Sequence, residues 1–251
     1  MIAEYVSKLS KIMGASVKKS ISPDLKKINE FTMIQFKGPE VLNECITRSD
    51  KEIGGYSTVN LDWDPKERAA HFHGNLSLDL PPSRPEVQRS GYAMFRTRDP
   101  PKNFLDEETY WDWQTLSHVA LRVKGDRRKY FVNIQSKTAL PTEIHQHRLF
   151  LYNPGEWEVA VIPINQFLLT HWGRVESLQE IEKDKVRTVG IGLLDRRYGP
   201  FSLYVDWIKA ISDDEAERYI AEGRAKAAKS TNPELLLEKR VAETRKKEME
   251  L

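Results

Sequence analysis

His118 to Gln135 reads HVALRVKGDRRKYFVNIQ, and its pattern decides the fold class. Val119, Leu121 and Val123 alternate with Ala120, Arg122 and Lys124, the period-2 spacing of a strand with one face in a core. Tyr130, Val132 and Ile134 alternate with Phe131, Asn133 and Gln135 beyond a polar break. Gly125-Asp126 in that break suits a type II′ turn, because glycine tolerates positive φ at the first central position. Arg127, Arg128 and Lys129 keep the turn in water. The stretch predicts an antiparallel hairpin near the middle of a sheet, with the other apolar runs added around it.

On the N-terminal side, Phe31 to Phe36 reads as a first strand ended by Gly38-Pro39, and Val41 to Ile46 as a short helical turn carrying Cys45. Tyr56 to Trp63 is a strand with Val59, Leu61 and Trp63 on one side. Ala69 to Leu80 is another, with a bulge expected at Gly74. The prolines of 81–90 forbid regular pairing, Gly91 to Arg98 is a strand, and 100–115 is an irregular insertion. On the C-terminal side, His147 to Tyr152 and Glu156 to Pro163 predict a second hairpin around Asn153-Pro154-Gly155. Residues 164–185 predict an amphipathic helical segment and a polar loop. Val186 to Leu194 and Phe201 to Ile211 close the sheet. About ten strands with little helix between them make the fold all-β, an antiparallel β-sandwich or jelly roll.

The composition changes at both ends. Ser212-Asp213-Asp214-Glu215 predicts a capping box that opens a helix, and Asn232-Pro233 a second start. This Ala-, Glu-, Lys- and Arg-rich tail is either a solvated helix on the sandwich or an arm ordered by a partner. Ile2, Tyr5, Val6, Leu9, Ile12 and Met13 share one helical face amid lysines and serines, with Glu4 the sole acid before Asp24. That start reads as an organelle transit peptide or as an ordinary surface helix. The division is therefore a basic amphipathic segment over 1–30, a sandwich over 31–211 and a charged helical extension over 212–251.

A net charge of +2 over 251 residues gives no nucleic-acid footprint, and one cysteine excludes an intramolecular disulfide framework. No apolar run approaches the roughly 20 residues that span a bilayer. His71 with His73, and His145 with His147, are His-x-His pairs able to chelate a metal from one strand face, but without a carboxylate at ligand spacing they read as polar strand-face residues. Cys45, in an apolar setting, reads as a small buried side chain. Nucleotide loops and the G-x-S-x-G elbow are absent from the sequence, so no cofactor and no catalytic residue is expected. Trp111, Trp113, Trp172, Arg174, Arg196, Arg197 and Tyr198 lie in loops or at loop edges. They are the candidate partner-binding residues, since Trp, Tyr and Arg anchor interfaces; the alternative for each tryptophan is a cap on the core.

Six stretches in order carry a resemblance: IGGYS at 53–57, FHGNLSL at 72–78, GYAMFRTR at 91–98, LRVKGDRRKY at 121–130, WEVAVIP at 157–163 and GPFSLYVDWI at 199–208. Together, over about 31–211, the chain resembles the complex I intermediate-associated protein family. Ser90-Gly91 stands where that family has Gly-Gly, Tyr204 where an acid is usual and Cys45 where Trp is usual. The resemblance implies a galactose-binding-like sandwich and a non-enzymatic assembly factor of mitochondrial NADH:ubiquinone oxidoreductase. It would hold an early membrane-arm intermediate from the matrix side of the inner membrane. The implied partners are membrane-arm subunits and other assembly factors, including a larger helical-repeat companion. The competing readings are a glycan or small-ligand module and a metalloenzyme using both histidine pairs.

Overall fold

The structure, a computed structural model, describes residues 28–230 apart from 139, 141, 172 and 178. The basic N-terminal segment and the Asn232-Pro233 helix start lie outside the described residues, almost entirely in the first case and wholly in the second. In chain order the strands are β1 (Glu30–Gln35), β2 (Cys45–Ser49), β3 (Thr58–Asp64), β4 (Ala69–Leu76), β5 (Ala93–Thr97), β6 (His118–Gly125) and β7 (Tyr130–Ser136). There follow β8 (Glu143–Arg148), β9 (Glu158–Pro163), β10 (Leu168–His171), β11 (Arg174–Ser177), β12 (Val186–Leu193) and β13 (Gly199–Ile211), then helix α1 (Asp213–Ser230).

Two antiparallel sheets result. The first runs β3-β4-β13-β6-β9, and the second β11-β10-β8-β7-β12-β5-β2. β13 is the seam of the first sheet: β4 pairs with its residues 199–205, β1 with 207–211 on the same edge, and β6 with the other edge. The all-β sandwich is as expected.

The pairing around the opening stretch is not. β6 lies in the first sheet and β7 in the second, so 118–135 is a crossover between layers and no hairpin. The alternation holds in the structure: Val119, Leu121, Val123, Tyr130, Val132 and Ile134 are all fully buried, and all belong to one core cluster between the sheets. The same correction applies to Asn153-Pro154-Gly155. β8 belongs to the second sheet and β9 to the first, so that turn also carries the chain across the core. Residues 164–185 hold β10, β11 and short 3₁₀ turns and no α-helix, because pairing of Leu168–His171 with β8 overrides the local periodicity.

Gly74 is not a bulge. The register runs through it unshifted, opposite Val59 on one side and Phe201 on the other. A Cβ there would press into the Thr58 carbonyl and touch the Phe201 ring, so glycine is needed for close strand approach. Gly74→Ala is expected to lose about 1–3 kcal/mol through overpacking. A thermal melt checks it, and an unchanged midpoint would mean the strands are not this close.

α1 begins where the sequence places it, with Asp213, Asp214 and Glu215 in its first turn suiting the positive end of the helix dipole. The reciprocal capping box does not form: the buried Ser212 Oγ has no hydrogen-bond partner, and Glu215 faces Arg218 at 2.5 Å. Asp213 instead accepts from Ser117 Oγ at 2.6 Å. The first half of α1 covers part of the first sheet's outer face, packing Ala216 and Tyr219 against Ala120, Trp207 and Ile211. Residues 220–228 of the helix are exposed. No helix among the described residues is long and apolar enough to cross a membrane.

Candidate functional site

Beside α1, the outer face of the first sheet is left open by the described residues. Strand alternation puts Asp62, His71, His73, Tyr204, Asp206, Arg122 and Lys124 on the side away from the core. The register sets His73 opposite Asn60 and Ser202, and Tyr204 between His71 and Lys124. The rings then stack in series, His73 on His71 at 4.3 Å and His71 on Tyr204 at 4.2 Å, the latter pair nearly parallel. Lys124 follows, 5.3 Å over Tyr204, and its ammonium reaches Glu67 Oε1 at 2.7 Å. Glu67 also accepts from Trp157 Nε1 (3.0 Å), and Arg122 lies 4.6 Å over that indole while pairing with Asp206 at 2.5 Å. At the far end His73 Nε2 meets Asp62 at 2.8 Å.

The result is a ladder of flat rings and charges that crosses the sheet. Each ring or cation–π contact is worth about 0.5–1 kcal/mol, enough to fix side chains without burying them. The hydrogen bonds from Lys124 and then Trp157 hold the Glu67 carboxyl below its usual range. Such a face is suited to gripping a surface, because it offers rings for contact and prepaid ion pairs around them. His71 Nε2 also meets Ser202 Oγ at 2.8 Å, a hydroxyl–imidazole contact that ties the ladder to β13. Sequence reading singled out His71 and His73 but missed Tyr204, Trp157 and Glu67. The visible signal was polar residues at alternate positions on two strands, Arg122 and Lys124 with Ser202, Tyr204 and Asp206.

The residues expected to contact a partner fall at opposite ends of the sandwich. Trp111, Trp113 and Arg174 lie at one end, where Trp111 bridges to Val186 at the start of β12 and Trp113 N–H donates to the Lys183 carbonyl. Arg196, Arg197 and Tyr198 lie past the other end of β12, whose eight residues span roughly 25 Å. Trp113 is corrected outright: it is fully buried in the core and offers no surface to a partner. Trp111 is half-buried, with Phe31 6.1 Å away. Arg174, Arg196 and Arg197 are exposed, as is Tyr198, whose hydroxyl donates to Asp79 at 2.9 Å. Trp172 lies outside the described residues.

The histidine pairs also separate, β4 being in the first sheet and β8 in the second, so they cannot share one ion. Among the described residues no group of three or more His, Cys, Asp or Glu is placed to hold a metal. Cys45 is buried, and burial pushes its thiol up to about 12, so it stays protonated and unreactive at neutral pH.

His71, His118 and His145 are each held below the ordinary histidine value of 6.5, burial being the first cause in all three. For His71 the neighbouring His73 adds to the depression, against Asp64 and Asp62. A depressed folded value means that the unfolded chain takes the proton first. Their contribution is complete above about pH 6.5 and is lost as the pH falls through the folded values. The urea midpoint is expected to drop between about pH 7 and pH 5, and His145→Gln to flatten that drop. A midpoint independent of pH in this window would contradict the burial of these rings.

With the geometry in place, comparison with known proteins is decisive. The family model described as "Complex I intermediate-associated protein 30 (CIA30)" matches residues 34–205. The chain belongs to this family. A relative from Neurospora crassa, "Complex I intermediate-associated protein 30, mitochondrial", is 38% identical over 205 residues, covering 72% of this chain and 73% of that one. The Mus musculus protein of the same name is 32% identical over 183 residues, covering 71% of this chain but 55% of its own length. The region matched by the CIA30 model contains the whole ladder except the carboxylate of Asp206, together with the crossover that opened the reading. Among solved structures, a family 11 carbohydrate-binding module from Clostridium thermocellum superposes with a TM-score of 0.50 at 14% identity, covering 73% of this chain and 96% of the module. At that identity it establishes a shared sandwich fold.

Proposed function

We propose that this chain is an assembly factor for mitochondrial NADH:ubiquinone oxidoreductase, acting as a platform without catalysis of its own. It holds an early membrane-arm intermediate in the matrix, peripheral to the inner membrane, in company with other assembly factors and a larger helical-repeat companion. The observation that carries this reading is membership of the CIA30 family over most of the sandwich, with mitochondrial relatives named for association with complex I intermediates. The ladder from His73 to Arg122 is the proposed contact face for the intermediate, with Arg174, Arg196, Arg197 and Tyr198 as outlying contacts and Trp111 at the margin. Rigidity supports the assignment, since a surface fixed by a sheet loses little side-chain entropy on binding.

The test is genetic. Deletion of the coding sequence in a host that contains complex I is expected to abolish the assembled enzyme and leave membrane-arm fragments on native gels. Normal complex I in that strain would remove the proposal.

A further inference from the structure

Many cations of the described residues face an acid, as in Arg48–Glu52, Lys124–Glu67, Arg187–Asp99 and Lys209–Glu30. One end of the sandwich departs from this pattern. Three loops meet there, 125–130, 148–157 and 194–199, and they are tied together. Arg128 binds the Asp195 carboxylate through two nitrogens and reaches the carbonyls of Arg197, Gly199 and Pro200. Leu149 N–H donates to Tyr130 O (2.9 Å) and Gly155 N–H to Gly125 O (2.8 Å).

On this joined surface Arg127, Lys129, Arg148, Arg196 and Arg197 are all exposed, and none forms an ion pair among the described residues. The acids of the same loops are turned away. Asp126 accepts from the backbone of Arg128 and Ser202, and Asp195 is buried against Arg128, which leaves Glu156 as the exposed carboxylate of these loops, with exposed Asp79 at the border accepting from the Tyr198 hydroxyl. The same loops carry Phe150, with Arg148 4.9 Å over its ring, and Tyr152 and Tyr198; the three rings are 48, 81 and 61% exposed, and Leu194 37%. Exposed aromatic tips on loops rich in cations without acid partners match an anionic bilayer, where headgroups draw the charges and amphipathic rings settle at the interface.

We propose that this end of the sandwich docks on an anionic phospholipid surface. The inference rests on the membrane-side placement proposed above and gives that placement a face. Strand ends then point at the bilayer, and the sheet face that carries the ladder stands roughly upright beside it, free to hold an intermediate that is itself embedded there. A protein partner fits less well. It would need an acid in a fixed place for each of five cations spread over three loops, whereas a fluid array of headgroups supplies charge anywhere.

The experiment is sedimentation of the full chain with vesicles of phosphatidylcholine and phosphatidylglycerol at roughly 3:1, against phosphatidylcholine alone. Binding is expected only to the anionic vesicles and is expected to weaken with salt. The combined variant Arg127→Ser, Lys129→Ser, Arg196→Asn, Arg197→Ser is expected to lose about a hundredfold or more, at roughly fivefold per charge near the surface. Asparagine is used at 196 because that residue has φ 58°. Tyr152→Ser is expected to cost a smaller factor that does not vary with salt. A control removing equal charge elsewhere, Lys37→Ser, Lys66→Ser, Lys102→Ser, Arg224→Ser, is expected to keep most of the binding.

Absence of binding to anionic vesicles, or equal loss in the control, overturns the proposal. So does a four-site variant that keeps vesicle binding but loses capture of purified membrane-arm subunits, which would make this end a protein interface. The vesicles contain no protein, so failure here is distinct from failure of the assembly role, which native gels read separately.

Discussion

Asp50→Ala is expected to destabilise the fold by about 3–5 kcal/mol, because two buried backbone donors lose their acceptor at once. Asp50 is completely buried, and no lysine or arginine pairs with it among the described residues. Its carboxylate accepts from Ser57 N–H (2.9 Å), Ser57 Oγ (2.7 Å) and Gly91 N–H (2.7 Å), while Gly55 N–H donates to its carbonyl at 2.7 Å. One side chain thus joins the ends of β2, β3 and β5, which belong to different sheets. Gly55 must be glycine here, since a Cβ would collide with the Asp50 carboxylate. Gly91, at φ 84°, is in the left-handed region that lets its N–H point at the carboxylate. Asp50→Asn is a finer probe: its amide keeps one acceptor oxygen but sets an NH₂ against an N–H or O–H donor, so it is expected to lose about half as much. Urea unfolding with an unchanged slope measures both. A loss under about 1 kcal/mol for the alanine variant would mean that water or a neighbouring group replaces the carboxylate.

Arg128→Ala is expected to be as damaging, again about 3–5 kcal/mol, through an uncompensated buried charge. The Asp195 side chain is 0% exposed and that of Arg128 only 8%, so neither ion is hydrated once its partner is gone. Arg128 also caps three carbonyls of the turn into β13, all of which lose their donor. Arg128→Lys keeps the charge but not the planar fork, and is expected to recover less than half of the loss. Because the pair is shielded, added salt is expected to change these differences little. Equal stability of the lysine variant and the parent would show that charge alone matters there.

These two clusters illustrate what was legible in the sequence. That Val119, Leu121, Val123, Tyr130, Val132 and Ile134 face a core follows from period-2 alternation, and the core contains all six. Alternation, however, is the same whether the next strand lies alongside or across the core. Gly-Asp and Asn-Pro-Gly favour turning and do not name the sheet in which the chain resumes. What commits 125–130 to crossing is the pairing of β6 with β13 and of β7 with β12, with the turn tied by Arg128 to Asp195, a partner 67 residues away that no local pattern identifies. Trp113 shows the same blindness: a tryptophan in a polar loop reads alike as a contact or a plug, and only its neighbours decide. The ladder was half visible. The His-x-His spacing placed two rings on one face, but the stacking of His71 on Tyr204 and the link through Lys124 and Glu67 to Trp157 depend on the order β4-β13-β6, which is a property of the sheet. The capping box at Ser212 failed for a similar reason, since the Ser212 N–H that Glu215 would cap donates instead to the Asn29 carbonyl at 2.8 Å.

The account stands or falls on whether this sandwich supports assembly of complex I. The most direct measurement is complementation: expression of the chain, directed to mitochondria, in a Neurospora crassa strain lacking its 38% identical relative. Return of the assembled enzyme on native gels is the predicted result. Folded protein present in the mitochondria, with membrane-arm fragments still stalled, would contradict it.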